Sequence, residues 1–238
     1  MEVVSFECVY RVHAEYNFEE PPQRGIAAPE MVSVEDASAQ AASVGRASPD
    51  KVHAMAGALA RAFHDDPAFS WVLRADPRRS KILEQGFELF LSRVWLEQDE
   101  TYTTAGTVAV AVWERPDEWK VPVSRQLRML PAMVRVFGRH LPRVVRALTV
   151  LEAKHPRERH YYLPFIGVEP EWQGRGLGSA VLAPVLQRCD DEKMPAFLEA
   201  STPRNRALYE RHRFAVTEEF RLGAGAPAQW RMWRTPSA

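Results

Sequence analysis

Apolar residues along this chain recur with two different periods, and the alternation between the periods outlines its elements. Val52, Met55, Ala56, Leu59 and Phe63 fall at the spacing of one buried helix face. Ser48-Pro49-Asp50 just ahead supplies an N-cap, a first-turn proline and a first-turn acid. Ile82, Leu83, Phe90, Leu91 and Val94 predict a second helix over residues 78–96. Extended patterns follow at 100–104 and 107–113, joined at Ala105-Gly106, and a short strand is expected near Val44. Further on, Tyr161-Tyr162-Leu163-Pro164-Phe165-Ile166-Gly167-Val168 is rich in the aromatic and β-branched residues of strands. Val181, Leu182, Val185 and Leu186 then predict a helix ending at Cys189. Strand 196–200, helix 204–211 and strands near 215–222 and 229–234 complete the pattern.

Residues 114–159 are longer than a strand-to-strand turn requires. They carry a helical pattern through Leu127, Leu130, Val134, Phe137 and Leu141, interrupted by Pro131 and Pro142. Between residues 120 and 150 there are seven Lys or Arg and no acid, and Arg135, Arg139, Arg143 and Arg146 share a helical face. Two readings stay open: a solvated cationic face over a buried apolar stripe, or a site that attracts an anionic ligand.

A length of 238 residues suits one domain with appendages. Residues 1–42, with Pro21-Pro22 and an Ala-rich stretch, show no periodic element. They read as a poorly ordered N-terminal appendage, or as lying upstream of a start at Met31. Residues 43–238 read as the domain, and 114–159 as a helical insertion within it. Lys plus Arg and Asp plus Glu both total 31, so no net charge argues for a nucleic-acid or membrane partner. No apolar run approaches the ~18 residues of a spanning helix, and the N-terminus lacks the pattern of a secretory signal. Cys8 and Cys189 are the only cysteines, one in the leader and one closing a helical pattern. A structural disulfide is not expected, and a reducing cytoplasm is the expected compartment.

Between the extended run and the helix lies Gln173-Gly174-Arg175-Gly176-Leu177-Gly178. Its glycines allow a tight turn with several N–H groups pointing one way, and the new helix adds unpaired N–H groups and a positive dipole end. This combination favours an anion such as a pyrophosphate. The glycine spacing fits no dinucleotide fingerprint, and no Gly-Lys-Ser/Thr of a nucleoside-triphosphate loop occurs.

The pattern Gln-x-x-Gly-x-Gly resembles the pyrophosphate loop of the Gcn5-related N-acetyltransferases, the GNAT family. Residues 165–170 resemble that family's fourth strand and its exit, and residues 203–211 with Phe214 resemble its later Asn…Tyr segment. Within the family the likeness is to puromycin N-acetyltransferase-like members, through residues 109–113, 176–181 and 195–201. The resemblance implies an α/β (α+β) fold, with a mixed, mostly antiparallel sheet of about seven strands splayed between the fourth and fifth and flanked by helices. It implies acetyl-CoA as donor, no metal, and a small-molecule primary amine as acceptor. A protein or peptide acceptor, a non-catalytic acyl-CoA-binding module and a homodimer stay open.

The same resemblance implies roles for individual residues. Backbone groups of Ile166 and Val168 would pair the pantetheine arm, with Gly167 allowing a bulge or close approach, or simply being small between packed elements. N–H groups of Gly174, Gly176, Gly178 and Ser179 would hold the pyrophosphate, with Leu177 inside the loop and Gln173 and Arg175 flanking; Arg175 also reads as a plain surface cation. Asn205 resembles the residue that bonds the pantetheine. Tyr209, one helical turn later, would be the general acid, or else an aromatic anchor on Phe214. Glu199 sits between apolar strand neighbours, where burial would raise its pKa; it reads as the base, an acceptor contact or a structural ion-pair partner. Asp65, Asp66 and Glu114 are its rivals at the acceptor groove, which the 114–159 insertion would shape; any anion drawn by that insertion's arginines would be the acceptor or the CoA 3′-phosphate. His64 and His160 lack metal-ligand spacing, and no Ser-His-Asp or Cys-based constellation is evident, so direct attack on bound acetyl-CoA is expected.

Overall fold

The computed structural model describes residues 32–237; the expectations for Cys8 and for a start at Met31 lie outside them. Seven strands pair into one sheet: β1 (Gly45–Arg46), β2 (Thr101–Thr103), β3 (Ala109–Glu114), β4 (Tyr161–Val168), β5 (Ala196–Ala200), β6 (Ala215–Arg221) and β7 (Ala228–Arg234). Their order is β1-β2-β3-β4-β5-β7-β6. All neighbours are antiparallel except β4 and β5. A parallel pair needs a crossover, and helix α7 (Leu177–Asp191) provides it. The mixed, mostly antiparallel sheet of the expectation is present.

The parallel ladder is short. It joins Tyr161 to Ala196, Tyr162 to Phe197 and Leu163 to Leu198, and then stops. Pro164 comes next and has no N–H to donate. Leu163 and Pro164 together oppose the single residue Trp113, which makes a bulge between β3 and β4. β4 stays paired to β3 as far as Val168, so from Pro164 onward it diverges from β5 as one arm of a fork. The sequence reading allowed a bulge at Gly167, and the structure places it three residues earlier. Gly167 serves a close approach instead. A Cβ there would lie 2.9 Å from Leu59 Cδ2 and 3.0 Å from Ala62 Cβ, both on helix α2 (Val52–Ala62).

Both faces of the sheet are covered, which is why every residue of β3 is buried. Val110 and Val112 face α2 and helix α4 (Arg79–Phe90). Ala109, Ala111, Trp113, Leu163 and Leu198 face Val181, Leu182 and Val185 of α7. Helix α8 (Pro203–Arg211) follows β5.

Several expectations change. The helix over 78–96 ends at Phe90, and a π turn over Leu91–Trp95 and a 3-10 turn over Leu96–Gln98 follow. A seven-residue helix, α3 (Pro67–Leu73), is too short to show a period; Asp66 caps it by accepting from Ala68 N and Phe69 N. The Ala-rich stretch ahead of residue 43 is helix α1 (Val34–Ala42), capped by Ser33, with Ala37 buried. A run of alanines forms a helix without a visible apolar stripe.

The insertion contains α5 (Val123–Phe137), which continues through Pro131, and α6 (Leu141–Lys154), whose first turn holds Pro142. The pattern at Leu127, Leu130 and Val134 is helical as expected, but it faces outward, and the buried face is Met129, Met133 and Phe137. The Phe137 ring decides this, because it packs where α4 has only Gly86: a Cβ there would meet Phe137 Cζ at 3.0 Å.

The contact between Gly167 and α2 is testable. Gly167→Ala should destabilise the fold by about 1–3 kcal/mol through overpacking, measured as a lower urea midpoint with an unchanged slope. An unchanged midpoint would mean that α2 and β4 are not packed as closely as described.

Candidate active site

The fork exposes backbone. Hydrogen-bonded and non-bonded pairs alternate along an antiparallel ladder, and Glu169 N donates to Val108 O at 2.9 Å. Two residues back, Gly167 with Val110 and Phe165 with Val112 are therefore the bonded pairs. Ile166 and Val168 turn their N–H and C=O groups away from β3, into the fork. The Val168 carbonyl accepts from Gln173 Nε2 at 3.0 Å, so Gln173 braces the strand end rather than flanking the loop as a free side chain. The Ile166 backbone and the Val168 N–H remain unpaired by the sheet.

The loop beyond β4 presents a row of donors. Gly174 and Gly176 have φ of 77° and 83°, a region that costs other residues roughly 1–2 kcal/mol. A Cβ on either would meet nothing within 4 Å, so the constraint at these positions is the backbone angle. Among the described residues no backbone carbonyl accepts from the N–H groups of residues 174–179; the first bond is Ala180 N to Gly176 O. This matches the surplus of donors at the start of a helix. The Leu177 side chain is buried among the α7 core residues, which leaves only its N–H for the loop. Ser179 Oγ lies 2.8 Å from His212 Nε2. Arg175 is half-buried, and its Nε reaches only the Glu171 carbonyl at 3.4 Å.

At the same end of the sheet, α8 begins with the Thr202 side chain accepting from Asn205 N at 3.1 Å. Asn205 is half-buried, and Tyr209, one turn on, is buried at 5% exposure, edge-on to Phe214 at 6.1 Å. The Tyr209 hydroxyl has no hydrogen bond to a described side chain. Burial holds its pKa above the usual phenol value, and the nearby Asp66 charge pushes the same way. Asp66 is buried, caps α3 and accepts from Ser201 Oγ. Burial raises its pKa, and these bonds oppose the rise. It is tied into the scaffold next to Tyr209 rather than free for an acceptor. Asp65 points to solvent with its side chain 94% exposed.

On the opposite face, Glu114 and Glu199 lie close enough that the Glu199 charge raises Glu114. In register, Glu114 of β3 is beside Tyr162 of β4, Tyr162 is beside Phe197 of β5, and Glu199 is the next β5 residue on that face. Glu199 is also the first β5 residue past the ladder, at the apex of the fork. Burial pushes its pKa up to about 7 despite the opposing pull of Tyr162 and Arg231. Arg231 faces it across β5–β7 but bonds Glu218 at 2.7 Å, and Glu199 Oε1 is buried without a partner. Glu114 is fully inside; the Trp95 indole N–H donates to its Oε1 at 3.0 Å, and burial raises its pKa to about 8. Phe63, Phe69, Phe87, Phe165 and Trp95 form one aromatic cluster with neighbouring ring centroids 5.2–6.1 Å apart, joined to Glu114 through the Trp95 indole. Sequence reasoning missed Trp95, Tyr162 and Ser201. Trp95 enters through the π turn, which no apolar period announces; Tyr162 and Ser201 were visible only as a strand residue and a turn residue.

The comparisons with known proteins agree in kind. The model of the acetyltransferase (GNAT) family matches residues 110–214. An uncharacterised N-acetyltransferase of Schizosaccharomyces pombe is 24% identical over 180 residues, which cover 70% of this chain and 72% of that protein. A Corynebacterium glutamicum structure described as histone acetyltransferase HPA2 and related acetyltransferase superposes with a TM-score of 0.64 at 24% identity, over 82% of this chain and 97% of that one. Arylalkylamine N-acetyltransferase 2 of Aedes aegypti superposes at 0.59 with 10% identity, over 82% and 98%. The structural likenesses are likenesses of fold.

Glu114 makes stability depend on pH. Below the ordinary carboxyl value of 4.5 it is protonated in both folded and unfolded chains; with a folded value of about 8 it keeps its proton after the unfolded chain has lost it. Its contribution is therefore full at low pH and is lost as pH rises through about 8. Glu114→Gln cannot ionise, so its stability relative to wild type should climb between about pH 5 and pH 8 in urea titrations. Parallel stability curves for the two proteins would show that Glu114 ionises freely.

Proposed function

We propose that this chain is a GNAT-type, acetyl-CoA-dependent N-acetyltransferase, a reading supported by the family match over residues 110–214 and the shared fold, and that it acetylates a small primary amine by direct attack on the bound thioester. The observation that carries the acceptor side of this reading is Glu199: a carboxylate at the apex of the fork, with one oxygen buried and unpartnered, close to Tyr162, whose ring stacks on Phe197. Such a base suits an ammonium on an apolar or flat body, which supports the puromycin N-acetyltransferase-like reading of residues 109–113, 176–181 and 195–201. Burial of Met129, Met133, Phe137, Val144 and Ala147 of the insertion against the α2–α4 face closes that side, and this favours a small acceptor over a polypeptide.

The residues present fit the donor. Unpaired N–H groups from Gly174 to Ser179 and the positive end of α7 suit a pyrophosphate, and they need no side chain in the way. The Ile166 backbone and Val168 N–H offer strand-like pairing to an extended amide arm, with Asn205 alongside. Bound there, acetyl-CoA supplies an acyl group activated as a thioester. Glu199 takes one proton from the incoming ammonium, leaving a neutral amine to form the C–N bond. Tyr209, kept protonated by burial, would protonate the departing sulfur and be restored through solvent, which receives the second proton that the nitrogen sheds on becoming an amide. A compartment rich in acetyl-CoA, the cytoplasm, fits this chemistry; no helix of the described residues is long and apolar enough to cross a membrane.

Calorimetry with acetyl-CoA, followed by free-thiol release across a panel of small amines, tests the proposal. Thiol release with aryl or alkyl amines is the expected result. Tight binding with no release from any amine would favour a non-catalytic acyl-CoA-binding module, and absence of binding would exclude both.

The acid and base make separable predictions. Tyr209→Phe removes only a hydroxyl, so acetyl-CoA affinity should hold while kcat falls by about 10²–10⁴-fold; an unchanged single-turnover rate would remove the acid assignment. For Glu199, the wild-type kcat/KM should fall as pH drops through about 7, because the carboxylate is then protonated. Glu199→Gln should lower activity and flatten that limb. A Gln variant with the wild-type profile would move the base to Glu114 or to water.

A further inference from the structure

The net charge of zero conceals a local asymmetry on the outer surface of α5. Val123, Leu127, Leu130 and Val134 form one stripe there and are 69%, 64%, 44% and 51% exposed; Val145 and Leu148 of α6 are 45% and 43% exposed. These residues account for six of the eight large apolar side chains exposed among the described residues. A helix turns about 100° per residue, so Arg128 and Arg135, seven apart, share a face beside the stripe. Neither makes an ion pair with a described residue, nor does Arg146 of α6, whereas Lys120, Arg125 and Arg139 are engaged by Glu152, Glu97 and Asp76. No acid occurs between residues 120 and 150.

We propose that this outward face of α5, extended by Val145 and Leu148, docks on an anionic lipid bilayer. An aliphatic stripe flanked by free guanidinium groups is the arrangement by which a helix lies in the plane of a charged interface. The stripe spans about 16 Å, eleven residues at the helical rise. Met129, Met133 and Phe137 anchor the adjoining face, about a quarter-turn around the helix, in the core, so the helix is formed before it docks. A second copy of the chain fits less well. A two-fold pairing through this face would bring like arginines together with no acid in the segment to meet them. An anionic headgroup layer satisfies the arginines and the stripe together. The overall charge balance and the lack of a spanning run, from which no membrane partner is expected, bear on neither of these features.

Sedimentation of the full chain with vesicles of phosphatidylcholine alone, and of phosphatidylcholine mixed with phosphatidylglycerol, tests the proposal. Binding to the mixed vesicles only, weakened by added salt, is the expected result. Leu127→Glu should reduce partitioning by roughly tenfold or more, since a charge replaces a buried side chain. Arg128→Gln and Arg135→Gln should each reduce it about fivefold. All three positions lie outside the acetyl-CoA and amine sites, so acetyl-CoA affinity should be unchanged and serves as the check on folding. Failure to bind mixed vesicles would overturn the proposal, as would equal binding by Leu127→Glu. Self-association in sedimentation velocity that Leu127→Glu abolishes, without vesicle binding, would assign the face to a second copy instead. Binding of soluble polyglutamate without vesicle binding would assign it to an acidic protein.

Discussion

The site depends on one interrupted ladder. Parallel strands β4 and β5 share only three residue pairs before Pro164 and its bulge turn β4 aside. A strand that leaves its neighbour inside a sheet carries unpaired polar groups, and such groups require another partner. Here the groups belong to Ile166 and Val168, and a side chain from the next loop, Gln173, satisfies one of them. The unpaired groups on the β5 side are spaced as along a strand edge, which is the pattern an extended amide-bearing arm can pair with.

Topology then places the remaining parts at the same end. A crossover helix between parallel strands starts where the first strand finishes, so the N-terminus of α7 and its free N–H groups lie at the open end of the fork. α8 leaves the end of β5 for the same reason, and Asn205 and Tyr209 come with it. Tyr209 and Glu199, the proposed acid and base, reach the fork from opposite faces: Tyr209 packs with the α7 core, while Glu199 lies over the face that α2 and α4 cover. Two carboxyl groups on one apolar face are costly when both are charged. The Trp95 N–H on Glu114 and the pull of Tyr162 and Arg231 on Glu199 offset that cost only in part, since Arg231 is also engaged by Glu218. The result is a pair with raised pKa values, the condition under which one carboxylate accepts a proton near neutral pH.

Much of this was legible in the sequence because it is local. The apolar run of β4, the glycines at positive φ and the four-residue step from Asn205 to Tyr209 are each set by neighbours in the chain, and β5 occupies the residues that its pattern predicts. What escaped depends on distant contacts or on elements without a period. The π turn that delivers Trp95 breaks the helical count, α3 is only seven residues long, and four of the nine residues of α1 are alanines. Asp66 looked like an acceptor contact because a carboxylate in a loop looks the same whether it faces a ligand or caps the next helix. Only the position of Ala68 N, Phe69 N and Ser201 separates the two roles. Gly167 was ambiguous for a similar reason: a bulge and a tight helix contact both call for a missing Cβ, and α2 lies more than a hundred residues away in the chain.

The insertion shows the limit of periodicity most clearly. α5 carries two apolar sets, Val123-Leu127-Leu130-Val134 and Met129-Met133-Phe137, and both have helical spacing. Their hydrophobicity favours the first, since branched aliphatics outrank methionine in frequency of burial. Shape reverses the choice. The surface that receives α5 has a notch at Gly86, which a flat ring fills and a branched aliphatic side chain fills poorly; the flexible methionines take up the irregular space beside it. Once Phe137 is seated, the angle of the helix is fixed and the aliphatic set must face outward. A helix pattern thus establishes that a face exists, while the partner's surface determines which of two faces is buried.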